Sequence, residues 1–187
     1  MQLGSLHADV RVPVNSADPL QGFSGVTEVV EAHAGKAETC QWHRLVDYQP
    51  PRPDPDIGEM VFETSERVIE TGIHGVYREV WERLPQSTGP LMALSQRGAC
   101  EGEQRMRVLI AGLYLMRVRP LRVPGPAFEI SFAVRESMAS TQWRVERSTL
   151  RQLEGEMFSF APRQMDTRTA EVHQDALSSL WDVLEWQ

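Results

Sequence analysis

Asp9 and Arg11 stand two residues apart, so on a strand they share one face. Tyr77, Glu79 and Trp81 repeat that spacing further along, and His43 and Asp47 fall on one face of a third run. If these faces wall one hollow, they supply a carboxylate pair, an imidazole, a guanidinium, a phenol and an indole. Arg11 would hold an anionic group through paired donors, Tyr77 and Trp81 would form a flat wall, and Glu79 or His43 would move a proton. Asp9, Arg11, Asp47, Tyr77, Trp81, Tyr114 and Arg117 are therefore the ligand-binding candidates, and Glu79 and His43 the catalytic ones. A plainer reading stands beside this one. Asp9 and Arg11 form an ion pair that sets strand register, and Trp42, Trp81 and Trp143 are core. His43 and Asp47 lie roughly 13 Å apart along one strand, so their spacing makes no dyad. A bulge within Thr39 to Tyr48 would put Arg44 in place of His43 on the inner face.

Other chemistry is excluded by pattern. Gly-x-Ser-x-Gly, His-Glu-x-x-His and the phosphate-binding loop do not occur. His7, His33, His74 and His173 are scattered with no metal-ligand spacing, and Cys40 and Cys100 form no Cys-x-x-Cys pair, so neither a metal nor a cofactor is expected. Nineteen basic against 26 acidic residues give a net charge of −7, which argues against nucleic acid and anionic membranes as partners. The arginines around the longest apolar run, Arg105, Arg107, Arg117, Arg119 and Arg122, read as solvated strand ends or as an anion-gathering rim. The first residues lack the basic-then-apolar pattern of a secretory leader, and no apolar run approaches a membrane span. A cytoplasmic protein with reduced thiols is the expectation.

The elements that must position these side chains are strands. The chain has 187 residues, 41% hydrophobic and 24% charged, which suits one globular domain over 1–187. Twelve prolines and 13 glycines punctuate short alternating runs, the rhythm of an all-β chain. Strand candidates are the valine alternation from Val10 to Val14, then Phe23 to Ala32, Thr39 to Tyr48, Gly58 to Glu63, Arg67 to Glu70 and Gly75 to Leu84. Leu91 to Ser95, Met106 to Arg119, Phe128 to Arg135 and Gln142 to Arg147 follow. Residues 49–56 hold four prolines and read as a stiff loop. Arg97 to Gln104 reads as a hairpin tip. Val172, Ala176, Leu177, Leu180, Trp181 and Leu184 fall on one helical stripe, which predicts an α-helix within residues 165–187. An antiparallel up-and-down barrel of about nine or ten strands within residues 1–150, flanked by that helix, removes exposed sheet edges. A β-sandwich fits the same periodicity.

Several phrases also carry a resemblance. They are Ser5-Leu6-His7-Ala8-Asp9-Val10-Arg11-Val12-Pro13; Trp42-His43-Arg44 with Asp47-Tyr48-Gln49-Pro50; Pro55-Asp56-Ile57-Gly58; Tyr77-Arg78-Glu79-Val80-Trp81; Glu129-Ile130-Ser131-Phe132; and Trp143-Arg144-Val145-Glu146-Arg147-Ser148-Thr149-Leu150. In this order they resemble bacterial proteins related to the fungal Hri family. The resemblance implies a lipocalin-like (calycin) barrel and no established catalytic residues, and the fungal relatives are associated with binding a protein kinase. Three functions follow as expectations. The first is a barrel holding an apolar or aromatic small molecule in its lumen. The second is a cofactor-independent isomerase, cyclase or hydratase using the same pocket. The third is a protein-interaction module, with homodimer formation through the terminal segment as one partner reading.

Overall fold

The computed structural model describes residues 1–15, 20–30, 37–48, 53–98, 105–121 and 127–187. Among them the regular elements are strands, apart from one 3-10 turn at Arg151–Leu153. His33, Cys100, Arg122 and most of the expected hairpin tip lie outside the described residues.

The chain builds two antiparallel sheets in succession. The first contains β1 (Gln2–Leu3), β2 (Leu6–Arg11), β3 (Gln21–Val30), β4 (Glu38–Asp47), β5 (Asp56–Thr64), β6 (Arg67–Gly72) and β7 (Arg78–Glu82), paired in chain order. The second contains β8 (Leu91–Gln96), β9 (Arg107–Ala111), β10 (Tyr114–Pro120), β11 (Phe128–Val134), β12 (Gln142–Ser148), β13 (Met157–Ser159), β14 (Ala161–Gln164), β15 (Thr169–Gln174) and β16 (Leu177–Trp186). Its order is β13-β12-β11-β10-β9-β8-β16-β15-β14. Pro85 and Pro90 in the connection between the sheets lack backbone donors, and Gln86 there has φ 61°, so the ladder stops and a new sheet starts. This corrects the expectation of one barrel: the all-β reading holds, but the strands divide between two sheets.

The second sheet is a nearly closed barrel. Its edge strands β13 and β14 are separated in the chain only by Phe160, so closure brings the two edges together. Phe160 N–H donates to Thr141 O at 2.9 Å and Ser159 N–H to Asp175 Oδ1 at 3.0 Å. The inward faces fill the barrel with Trp143, Trp181, Phe160, Leu94, Val108, Ile110, Leu115 and Val172, all at most 2% exposed. Trp143 Nε1 donates to Phe160 O at 3.0 Å, which satisfies the indole inside this core. At one end of the same interior Glu129 is fully buried. It accepts from Arg117 at 2.8 Å, meets Arg119 at 2.6 Å and accepts from the Ser131 hydroxyl. The barrel is therefore packed with side chains, as small barrels commonly are.

Two further expectations are overturned. The run from Met106 to Arg119 is a hairpin, not one strand. Ala111 pairs with Tyr114 around Gly112-Leu113, and Gly112 has φ 57°, a conformation a β-carbon disfavours. The predicted C-terminal helix is β14, β15 and β16 instead. Asp175, at φ 52°, and Ala176 turn the chain so that Gln174 pairs with Leu177. β16 then lies between β15 and β8, burying Trp181 while Leu177, Leu180 and Leu184 are exposed. The barrel needed strands at that position, and partners on both sides of β16 outweigh the helical spacing of its apolar residues.

The first sheet is a half-barrel. One face of β2, carrying Leu6, Ala8 and Val10, packs on Leu109, Met116, Val118 and Ile130 of the closed barrel. The other face is concave. It curls far enough for Arg11 on β2 to reach Glu79 on β7 across the opening. No described helix is long and apolar enough to cross a membrane.

Candidate functional site

The concave face of the half-barrel gathers most of the polar residues singled out above. Its strand registers place Asp9 opposite Phe23, Phe23 opposite Asp47, Trp42 opposite Asp56, and Glu70 opposite Glu79. Arg11 donates through Nε to Asp9 at 2.8 Å and through its two terminal nitrogens to Glu79 at 2.6 and 3.2 Å. Arg44 is held between Asp47 at 3.1 Å and Asp56 at 2.6 Å, with its guanidinium 3.7 Å over the Phe23 ring. Each arginine is thus neutralised within the site by two carboxylates.

Arg44 occupies this face because of a bulge. Ser24 pairs with Val46 but Gly25 pairs with Arg44, so Leu45 is an extra residue on β4 and the alternation reverses there. Gly25 permits it, since a β-carbon at that position would lie 1.9 Å from His43 O. The consequence is that His43 and Asp47, expected on one face, are on opposite faces. His43 is an exposed residue contacting Glu28 at 3.0 Å, which removes it from the concave site. Tyr114 and Arg117 also lie elsewhere. Tyr114 stacks on Phe132 and donates to Pro85 O at 2.7 Å, while Arg117 is inside the closed barrel, its guanidinium 4.4 Å from the Phe158 ring. Asp9, Arg11, Asp47, Tyr77, Glu79 and Trp81 are brought together.

Glu70 is the centre of the site and was not among the candidate residues. It is 2% exposed and has no arginine partner among the described contacts. Tyr77 OH donates to its Oε1 at 2.7 Å and Trp81 Nε1 to its Oε2 at 2.9 Å. Burial pushes its carboxyl above the ordinary range, and these two hydrogen bonds pull the other way. Three glycines make room for this arrangement. A β-carbon on Gly58 would meet Glu70 at 2.8 Å, and β-carbons on Gly72 and Gly75 would meet the Tyr77 ring at 2.2 and 2.9 Å. One signal in the sequence pointed to Glu70: an acid ending the run Val68-Ile69, two residues before Gly72.

Two cavities open on this face. The larger, about 200 Å³, is lined by Trp42, Arg44, Asp54, Asp56, His74 and Tyr77, with Pro55, Ile57 and Gly75 completing the wall. The smaller, about 10 Å³, is lined by residues that include His7, Asp9, Arg11, Trp42, Glu70 and Trp81. Trp42 and Asp56 line both. The Trp42 and Trp81 rings stack with centroids 6.3 Å apart and planes at 21°.

Trp42 Nε1 and His7 Nε2 are buried without hydrogen-bond partners among the described residues. Thr27 Oγ1 donates to Gln2 at 3.3 Å, so it accepts from His7 Nδ1 at 3.1 Å. That assigns the proton to Nδ1 and leaves Nε2 as an acceptor. Burial pushes the His7 pKa down to about 4, so the ring is neutral at pH 7. An indole donor and an imidazole acceptor therefore border one void, whose size suits a single water-sized group such as a hydroxyl.

Glu79, expected as an acid–base residue, is bound through both oxygens to Arg11, and burial raises its pKa while Arg11 lowers it. No cluster of described His, Cys, Asp or Glu residues has the arrangement of a metal site. The Cys40 thiol is buried and its pKa is pushed up to about 11, which makes it a poor nucleophile.

The chain matches no protein-family model, and neither curated proteins nor solved structures yield a significant match.

Proposed function

We propose that this protein binds a small organic molecule in the half-barrel, with the closed barrel as its rigid support. The observation that carries the reading is the cavity of about 200 Å³ walled by Trp42 and Tyr77, which shares Trp42 and Asp56 with a smaller void lined by His7, where Trp42 and His7 each carry a buried polar atom without a partner among the described residues. Ligand sites commonly combine flat apolar walls with a few fixed polar groups, and unpaired buried polar atoms are costly unless a guest meets them. The closed barrel does not offer such a space, because Trp143, Trp181 and Phe160 occupy it. Membership of the class of lipocalin-like proteins related to the Hri family is part of the same proposal, and rests on the quoted phrases together with the barrel architecture.

The test is a panel of small aromatic acids, amines and neutral compounds added to isotope-labelled protein. The five indole N–H resonances are assigned by Trp→Phe variants. Binding at this site shifts the Trp42 and Trp81 signals and leaves Trp143 unmoved. A panel in which no compound moves Trp42 or Trp81 refutes the proposal.

A second reading has one specific observation behind it. Glu70 is a buried carboxyl with raised proton affinity, hydrogen-bonded to Tyr77 beside the cavity, which is the setting of a general acid or base. In that reading the protein is a cofactor-independent isomerase, cyclase or hydratase, with Glu70 in the role first assigned to Glu79 or His43. Turnover lost in Glu70→Gln while ligand binding persists would separate catalysis from binding.

A further inference from the structure

The chemistry of the ligand is also written into the site. Resting on the binding reading above, we infer that the half-barrel selects a small organic ammonium ion, with Glu70 as its counter-charge and Trp42 and Tyr77 as its aromatic walls.

The argument begins with charge. Asp9, Asp54, Asp56 and Glu70 line the two cavities, against Arg11, Arg44 and the Met1 amino group, whose own proton affinity is lowered by burial. Glu79 and Asp47 add two more carboxylates from behind, each already bound to one of those arginines. Neither arginine is left to receive an anion: Arg11 is held by Asp9 and Glu79, and Arg44 by Asp47 and Asp56. The excess is negative, so an anionic guest would enter against the field and a cation with it.

Glu70 localises that excess. Its hydrogen-bond partners are a phenol and an indole, both neutral, and Arg11, which acts on it through space, is itself bound to Asp9 and Glu79, so no direct cation contact cancels its charge. A buried carboxylate of this kind is costly on its own and becomes favourable when a cation is brought to it. Gly58 and Gly72 keep the space that Glu70 and Tyr77 occupy, which makes this a built arrangement and not a chance cluster.

The walls are the second observation. Trp42 is 5% exposed and lines both cavities, Tyr77 lines the larger one, and Trp81 lines the smaller one while donating to Glu70. Indole and phenol faces attract ammonium groups through the ring quadrupole, most strongly where water is excluded. The third observation is independent of charge. Trp42 Nε1 and His7 Nε2, both on residues more than nine-tenths buried, border the small void and lack partners among the described residues. The void has room for one water-sized group, and the His7 nitrogen is an acceptor that an ammonium N–H can meet there beside Glu70. The arrangement thus asks for a cation of modest size.

Three isosteric probes test this: benzylamine, benzyl alcohol and benzoate. Each is titrated against the whole protein at neutral pH, followed by the Trp42 indole N–H signal and by thermal shift. Benzylamine is expected to bind at least tenfold more tightly than benzyl alcohol, and benzoate to bind more weakly than either. Glu70→Gln is expected to reduce benzylamine affinity at least tenfold and to leave benzyl alcohol within about twofold. Tyr77→Phe keeps the ring but removes a hydrogen bond to Glu70, and serves if the Gln variant does not fold. It should weaken benzylamine binding less than Glu70→Gln does. Equal binding of amine and alcohol, or preference for benzoate, overturns the ammonium inference while leaving small-molecule binding in place. Absence of binding by all three probes overturns the ammonium inference as well, and the wider aromatic panel then decides the fate of the binding reading.

Discussion

His7 makes acid destabilisation of this fold measurable at one residue. It is 3% exposed, donates through Nδ1 to Thr27, and has its pKa pushed down from 6.5 to about 4, mainly by burial. The unfolded chain binds a proton here below pH 6.5, and the folded chain resists doing so until about pH 4. Stability from this residue is therefore fully present above pH 6.5 and is lost as the pH falls towards 4. A depression of two and a half units corresponds to about 3 kcal/mol once both states are protonated, at about 1.4 kcal/mol per unit. At about pH 5 the unfolded imidazole is almost fully protonated and the folded one about a tenth protonated, so about 2 kcal/mol has been lost. Glu70 and Glu79 act in the opposite sense. Their pKa values are raised on folding, so their protonation adds stability as the pH falls. The comparison must therefore be internal. His7→Asn keeps an amide donor towards Thr27 and does not titrate. Urea unfolding of both proteins at about pH 7.5 and about pH 5 should show the wild type losing about 2 kcal/mol more than the variant between the two conditions. Equal losses would refute the assignment of a buried, neutral His7.

Three further outcomes are expected. Glu129→Gln leaves the buried Arg117 without its counter-charge and the partly exposed Arg119 without a partner, and should cost about 3–5 kcal/mol in urea unfolding, far more than an exposed pair would. Gly72→Ala places a β-carbon 2.2 Å from the Tyr77 ring, so the ring must move; a loss of about 1–3 kcal/mol and a displaced Trp81 indole N–H signal are the readouts. His43→Ala lies on the outer surface and should change stability by no more than about 0.5 kcal/mol, with unchanged ligand affinity; a large loss of either would put His43 back in the site.

Strand content was legible in the sequence because it depends on local chemistry. Alternating faces, proline and glycine punctuation and the absence of a long apolar span all survive without knowledge of partners. The grouping of Tyr77, Glu79 and Trp81 on one face, and of Asp9 with Arg11, was legible for the same reason: a period of two is a property of the strand itself. What failed were features set by a neighbour. Leu45 becomes a bulge only because Gly25 lets β3 approach β4 closely, and that single insertion turned His43 outward and Arg44 inward. The apolar stripe from Val172 to Leu184 is compatible with a helix, and it became two strands because β8 and β15 offered ladders on either side of β16.

The amino-acid sequence by itself determined an all-β chain, its acidic character and the side chains available for a site. The tertiary structure decided which of two sheets would be filled and which would stay open. Fourteen residues of nearly continuous apolar and basic sequence, 106–119, folded back on themselves at Gly112 and helped fill the interior of the closed barrel with side chains. It also decided that Glu70 would be the buried acid of the half-barrel, since the curl of that sheet brings Tyr77 and Trp81 onto it with no direct arginine contact among the described residues. Burial and charge pairing are sums over residues distant in the chain, so local pattern sets what a residue can do and the packed fold sets whether it does it.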